Sequence, residues 1–147
     1  MNYRDAVNLD IERIEHLLKE CSLPYNDLNK YIQNFVVAEN NNIIIGVGGF
    51  EKYGDASLIR SLAVISEYRG IGVGGKIYAL LERKISNVGI NKLYLLTETA
   101  TDYFKKVGFT IRVRENIPEA ILRTKQFREL CPSTAFVMYN ELRESNE

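Results

Sequence analysis

The chain has 147 residues, enough for one domain with a full core. Its apolar content of 46% and charged content of 26% are those of a globular protein, and 19 basic residues against 19 acidic ones leave no net field to favour nucleic acid or an anionic membrane. The polar start, Met1-Asn-Tyr-Arg-Asp5, lacks the apolar core of a signal segment, no apolar run reaches membrane-span length, and Cys21 and Cys131 show neither metal-ligand spacing nor a disulfide framework, so a cytoplasmic protein without a metal is expected.

Taken in chain order, Tyr3–Val7 reads as a short strand. Asp10 caps a helix whose apolar positions Ile11, Ile14, Leu17 and Leu18 lie on one stripe. His16, the only histidine, falls in this helix as a surface or packing residue. Pro24 interrupts, and Asn26 or Asp27 caps a second short helix through Ile32. Phe35–Ala38 and Ile43–Phe50 are apolar runs joined by the hairpin signal Glu39-Asn-Asn-Asn42, and Tyr53-Gly-Asp55 turns into a further strand at 58–64. A helix from about Gly74 to Asn87 ends at Gly89, where helix-terminating glycines are common. Lys92–Thr97 then pairs parallel to 58–64, because a helical crossover leads to it. Thr99 caps a helix Ala100–Lys106 stopped by Gly108. Phe109–Val113 is a strand, Pro118 starts a helix through about Leu130 that Pro132 ends, and Ala135–Tyr139 is the last strand. The sum is an α/β fold, a mixed sheet of about seven strands with helices on both faces.

The most informative segment is Arg69-Gly-Ile-Gly-Val-Gly-Gly75, set between a strand and a helix. Glycines let backbone approach a ligand closely, and a helix N-terminus offers unpaired N–H groups and a positive dipole end to an anion. Three phosphate-binding readings compete. Gly70-x-x-x-x-Gly75-Lys76 begins a P-loop, but Ile77 stands where Ser or Thr must ligate magnesium. Gly70-x-Gly72-x-x-Gly75, with Glu98 downstream, matches a dinucleotide fingerprint. However, Ser66-Glu67-Tyr68-Arg69 intervene after the strand, and too little chain follows for a doubly wound sheet. An acyl-CoA pyrophosphate loop of the form Arg/Gln-x-x-Gly-x-Gly/Ala is satisfied at every position by Arg69 to Gly74.

Val64-x-x-Glu67-Tyr-Arg-Gly-Ile-Gly-Val-Gly74 resembles the acetyl-CoA motif of the GNAT N-acetyltransferases, and Ala100-Thr-Asp-Tyr-Phe-Lys-Lys-Val-Gly-Phe109 resembles that family's helix ending in Gly-Phe. The element order is similar to the GNAT fold throughout. Arg60-Ser-Leu-Ala-Val64, Leu95-Leu-Thr-Glu-Thr-Ala100, Ile117-Pro118, Gln126-Phe127 and Leu130-Cys-Pro-Ser133 look like the amino-acid acetyltransferase-like branch, which includes arsenic-resistance N-acetyltransferases. Two positions depart from the family pattern. Phe104 occupies the place of a tyrosine that protonates the departing CoA thiolate in many members, with Tyr103 as its neighbour. Thr97 stands where Asn is common.

The resemblance implies an acetyl-CoA-dependent N-acetyltransferase acting on a small, amino-acid-like amine by direct attack without a covalent enzyme intermediate. The main chain of Leu62, Ala63 and Val64 would bind the pantetheine arm, with one N–H polarising the acetyl carbonyl. Arg69 and the backbone of Gly70, Ile71, Gly72, Val73, Gly74 and Gly75 would hold the pyrophosphate, with Thr97 beside the cofactor. Glu51 is the first candidate for the base and Glu98 the second, and Tyr103 is the candidate acid. Arg60, on the same face as Leu62 by strand alternation, would hold the acceptor's carboxylate, with Arg114 and Arg123 as weaker candidates. Edge-strand pairing, common in this fold, would allow a homodimer. The competing readings are a non-catalytic acyl-CoA-binding regulatory module and a protein N-terminal acetyltransferase.

Overall fold

The computed structural model describes residues 1–113, 116–124, 127 and 135–142. In chain order the elements are β1 (Asn2–Asp5), α1 (Ile11–Glu20), β2 (Phe35–Asn40), β3 (Ile43–Tyr53), β4 (Ala56–Val64), α2 (Val73–Asn87), β5 (Lys92–Thr97), α3 (Thr101–Lys106), β6 (Thr110–Arg112), α4 (Glu119–Leu122) and β7 (Phe136–Glu141). The seven strands form one sheet in the order β1-β2-β3-β4-β5-β7-β6. Every pairing is antiparallel except β4 with β5, the pair joined through α2. This is the mixed α/β sheet expected from the sequence. The expected continuation of the last helix to Leu130, its stop at Pro132, and Cys131 and Arg114 lie outside the described residues.

Each face of the sheet carries its own core. On one face α2 presents Val73, Ile77, Leu81 and Ile85 at helical spacing to Ile45, Phe50, Ile59 and Leu93. Phe104 of α3 and Phe109 join the same cluster. On the other face α1 packs Ile14, Leu17 and Leu18 against Phe35, Val37 and Val47, and α4 packs Ile121 against Leu58, Tyr94 and Val137. The ends of α2 and α3 share one device. Gly89 and Gly108 sit at φ +82° and +113°, and the next N–H reaches back to the helix, Ile90 to Ile85 at 3.3 Å and Phe109 to Phe104 at 2.9 Å. The Gly-Phe pair is thus a helix stop that delivers Phe109 to the core.

Local chemistry moved several boundaries. The segment expected to be one helix from Asn26 or Asp27 to Ile32 is two 3-10 turns, Leu28–Lys30 and Ile32–Asn34, because Tyr31 between them leaves the helical region at φ −122°. The hairpin after β2 closes on Asn41 and Asn42, both at positive φ, so β2 runs on to Asn40. Asp10 does precede α1, but its carboxylate turns back to the Val7 N–H at 2.8 Å instead of capping the helix. It also holds Arg4 at 2.8 and 2.9 Å and Arg13 at 2.8 Å. No side chain caps α3, where Thr99 was expected to: Ala100 stands at the N-cap position, and its N–H donates to the Thr97 hydroxyl at 3.0 Å ahead of the helix.

Two expectations follow. A Cβ at Gly49 would overlap the Phe35 ring, so Gly49→Ala is expected to cost about 1–3 kcal/mol and lower the thermal midpoint followed by circular dichroism. An unchanged midpoint would contradict this packing. The Arg4 contacts, then the Val7 N–H and Arg13, hold Asp10 well below its ordinary value, at about 2. A lowered folded-state pKa stabilises the fold above the unfolded value and loses that stabilisation as pH falls. Asp10→Asn should therefore cost about 2 kcal/mol at pH 7, with the gap to the parent closing between about pH 4 and pH 2 in urea titrations. A gap independent of pH would contradict the assignment.

Candidate functional site

The site begins where the one parallel pairing stops. β4 and β5 are in register only over Ala56–Leu58 and Lys92–Tyr94. Past that point β5 stays with β7 through Thr97 opposite Phe136, while β4 stays with β3 through Val64 opposite Gly46. The strands therefore splay into a wedge enclosing a cavity of about 500 Å³ lined by Leu62, Gly74, Leu95, Thr97, Ala100 and Tyr103. Among the described residues no strand pairs with this side of β4 beyond Leu58. Its main-chain groups are thus open to an extended ligand lying alongside.

A bulge bends β4 at the same place. The register passes from Val47 opposite Ala63 to Gly49 opposite Arg60, so Gly48 alone faces Ser61 and Leu62. Ser61 takes φ +60°, a left-handed conformation that costs a non-glycine residue about 1–2 kcal/mol. The bulge reverses the face of everything after it. Leu62 packs toward α2, its Cδ1 only 3.1 Å from where a Gly48 Cβ would stand. Arg60 points to the opposite face, toward Tyr31 and Phe35. The expectation that Arg60 and Leu62 share a face is thereby corrected. Simple alternation fails because one extra residue is inserted, and the signal for it was the adjacent Gly48-Gly49 on the partner strand.

Beyond β4 the chain makes a 3-10 turn, Ser66–Tyr68, then a loop in which Gly70 and Gly72 sit at φ +82° and +89°. α2 starts at Val73, one residue earlier than expected, and its first internal hydrogen bond is from the Lys76 N–H to the Gly72 carbonyl at 3.1 Å. The N–H groups of Val73, Gly74 and Gly75 are consequently free of intrahelical partners, and no acidic residue occupies the first turn. Arg69 anchors the loop to the strand, its Nε donating to the Val64 carbonyl at 2.8 Å. Glycine loop, helix start and open strand edge are thus continuous. Tyr103, from α3, closes the wedge from the far side, its hydroxyl 3.2 Å from the position of a Gly75 Cβ. Phe104 is buried in edge-to-face contact with Tyr78 and Phe109, so it is packing. Glu98 is exposed at the wedge rim.

Below the wedge lies a buried charged cluster. Arg60 is fully buried and uses four of its five donors: two to Asp27 at 2.7 Å, one to Glu51 at 2.8 Å and one to the Ser61 hydroxyl at 3.0 Å. A substrate carboxylate at Arg60 would have to displace one of these. Burial opposes its charge, but the hydrogen bonds and charges of Asp27 and Glu51 outweigh that and raise its pKa. Tyr53 donates to the other Glu51 oxygen. Burial first, and Glu51 second, raise the Tyr53 and Tyr31 hydroxyls above the ordinary tyrosine range, so both remain neutral. Asp55, in the turn between β3 and β4, takes no part in the cluster and pairs with Lys92 at 3.1 Å. A second cavity of about 470 Å³ opens over this cluster, lined by Asp27, Lys30, Tyr31, Glu51, Tyr53 and Arg123 among others. Asp27, which sequence reasoning considered only as a helix cap, is the residue it missed.

Among the described residues there is no His, Cys, Asp or Glu group suited to a metal, and no helix long and apolar enough to cross a membrane. Removing Arg60 would take from two buried carboxylates the three guanidinium hydrogen bonds that hold them. Arg60→Met is therefore expected to destabilise the fold by about 3–5 kcal/mol in urea unfolding at pH 7. A loss under about 1 kcal/mol would show that the carboxylates are not bound to it energetically.

A sequence model of the acetyltransferase (GNAT) domain family matches residues 32–111. An uncharacterized N-acetyltransferase of Chlorobaculum tepidum is 32% identical over 95 residues, 64% of this chain and 61% of that protein. An amino-acid acetyltransferase of Pseudomonas putida is 30% identical over 95 residues, 63% of this chain and 22% of that protein. The chain thus spans less than two thirds of the length of either relative. Among solved structures, N-acetylglutamate synthase from Neisseria gonorrhoeae, complexed with coenzyme A and N-acetyl-glutamate, has a TM-score of 0.82 at 23% identity, over 97% of this chain and 35% of that one. Rv2747 from Mycobacterium tuberculosis, in complex with CoA, has a TM-score of 0.81 at 22% identity, over 97% of this chain and all 100% of that one. At these identities the structural likeness is one of fold.

Proposed function

The chain belongs to the GNAT acetyltransferase family, and on that premise we propose that it transfers the acetyl group of acetyl-CoA to the amine of a small, amino-acid-like acceptor. The observation that carries this reading is the wedge: an unpaired strand edge running straight into a glycine loop and the free N–H groups of a helix start. An apolar cleft, a row of main-chain donors and acceptors, and an anion cradle in that order suit a long thioester that ends in a pyrophosphate. Acetyl-CoA, when bound, supplies the activated acetyl carbonyl and a thiolate leaving group.

The residues then divide the work. The main chain of Leu62, Ala63 and Val64 binds the pantetheine arm as an added strand would, and an N–H on this edge polarises the acetyl oxygen. The N–H groups of the loop from Gly70 to Gly75, with Arg69 at its root, hold the pyrophosphate, and Thr97 and Leu95 wall the opposite side. The amine attacks as a free base. Its nitrogen–carbon bond forms as the carbon–sulfur bond breaks, and one proton leaves the nitrogen while the thiolate gains one. Glu51, at the floor of the second cavity, is the proposed acceptor for the amine's proton. Tyr103 is the phenol on the wedge available to protonate the thiolate, a modest demand because an ordinary thiol pKa is about 8.5.

The loop is the place to test this. Gly72 holds φ +89° with open space around it, so a β-branched side chain there strains the backbone without clashing. Gly72→Val is expected to weaken acetyl-CoA binding by at least about tenfold in calorimetric titration, an effect of ~1.4 kcal/mol, with the circular dichroism spectrum unchanged. Parental affinity in the folded variant would overturn the assignment of the cradle.

A further inference from the structure

The wedge runs on past the stretch of β4 that the cofactor arm would occupy. The glycine loop follows β4, so an arm with its pyrophosphate at that loop passes Val64 first and brings its thioester end near Leu62. From there the walls continue along Ser61, Arg60, Ile59 and Leu58 on one side and Leu96 and Leu95 on the other, down to the vertex where Leu58 pairs with Tyr94. Leu62 to Leu58 is roughly 10–13 Å of strand. This inner end is walled by hydrocarbon: Leu58, Ile59 and Leu95 are buried and Leu96 is half-buried. Arg60 is the charged residue on it among the described ones, and four of its five donors are taken by Asp27, Glu51 and Ser61. Glu98, the other charged wall residue, stands at the exposed rim.

We propose that the inner wedge is an acyl site, and that the protein takes short apolar acyl thioesters, propionyl- and butyryl-CoA, as well as acetyl-CoA. The inference rests on the proposed placement of acetyl-CoA and deepens it, since it names the class of donor. An arm extended along β4 from Val64 toward Leu62 points its acyl carbon onward along the strand, so each added methylene moves deeper into the same cleft. Water held between Leu58, Ile59, Leu95 and Leu96 finds few polar partners, and a hydrocarbon chain replaces it favourably. The vertex sets the upper limit on chain length, because the cleft ends where β4 and β5 pair. The same walls disfavour a charged acyl group. The carboxylate of a succinyl chain would have to compete with Asp27 and Glu51 for Arg60.

Calorimetric titration with acetyl-, propionyl-, butyryl- and succinyl-CoA tests this without an acceptor. Moving one methylene from water into hydrocarbon is worth about fourfold in affinity, so butyryl-CoA should bind about tenfold tighter than acetyl-CoA, with propionyl-CoA between them. Succinyl-CoA should bind no tighter than acetyl-CoA. Leu96→Phe fills the inner end and should erase the butyryl advantage while leaving the acetyl-CoA Kd within about twofold of the parent. Leu96→Ala opens the same end and should improve hexanoyl-CoA binding relative to acetyl-CoA, which keeps the test alive if the phenylalanine variant does not fold. Butyryl-CoA bound no tighter than acetyl-CoA, succinyl-CoA bound as tightly as butyryl-CoA, or an advantage that neither variant moves would overturn the acyl site and leave the acetyl-CoA reading standing. Failure of every thioester to bind would overturn both.

Discussion

The departure of β4 from β5 after three paired residues is the constraint on which the rest of the molecule depends. A continuous parallel pairing would have satisfied the backbone and left no cleft. Instead β5 follows β7, β4 follows β3, and an open strand edge is left inside the sheet. Water or a ligand must satisfy that edge, because unpaired backbone groups are costly once buried. The bulge at Ser61 and Leu62 adds local twist at the point of divergence, and the Gly48-Gly49 pair opposite makes room for it. α2 then leaves β4 through the glycine loop with its N-terminus at the wedge mouth. A backbone decision made over a few residues sets the cavity, the donor row and the anion cradle together.

The Arg60 cluster keeps the floor of this arrangement in place. Burying two carboxylates costs several kcal/mol each unless a cation and hydrogen bonds accompany them. Arg60 provides both, with its planar fork on Asp27, a third bond to Glu51, and the Tyr31 and Phe35 rings within 5.5 and 5.7 Å of its guanidinium. It ties the turn carrying Asp27 to the sheet, so the segment between α1 and β2 is fixed over the site.

Elements set by local periodicity and punctuation were legible in the sequence: the helix after the glycine loop, its stop at Gly89, the three-strand meander, and the parallel partner at Lys92–Thr97. Features set by long-range geometry were not. The bulge inverted the face of Leu62 relative to Arg60, and Ser61 gives no sign of its left-handed conformation because a glycine usually marks such a residue. Asp27 meets Arg60 across 33 residues of chain, a contact that no spacing rule reaches. The caps failed for a related reason. Asp10 has a side chain short enough to serve any nearby N–H, and it is held by the Val7 N–H, Arg4 and Arg13 instead of the helix it precedes. The glycine loop was readable because its chemistry is backbone chemistry, carried by consecutive residues.

The account stands on an acetyl-CoA arm lying along the open edge of β4 with its pyrophosphate at the start of α2. A two-dimensional amide NMR titration of the labelled protein with acetyl-CoA addresses this most directly, since it reads the backbone N–H groups themselves. The account predicts large, saturable shifts for Leu62, Ala63 and Val64 and for the loop from Gly70 to Gly75. Shifts confined to other surfaces, or a spectrum in which these amides do not move, would contradict it.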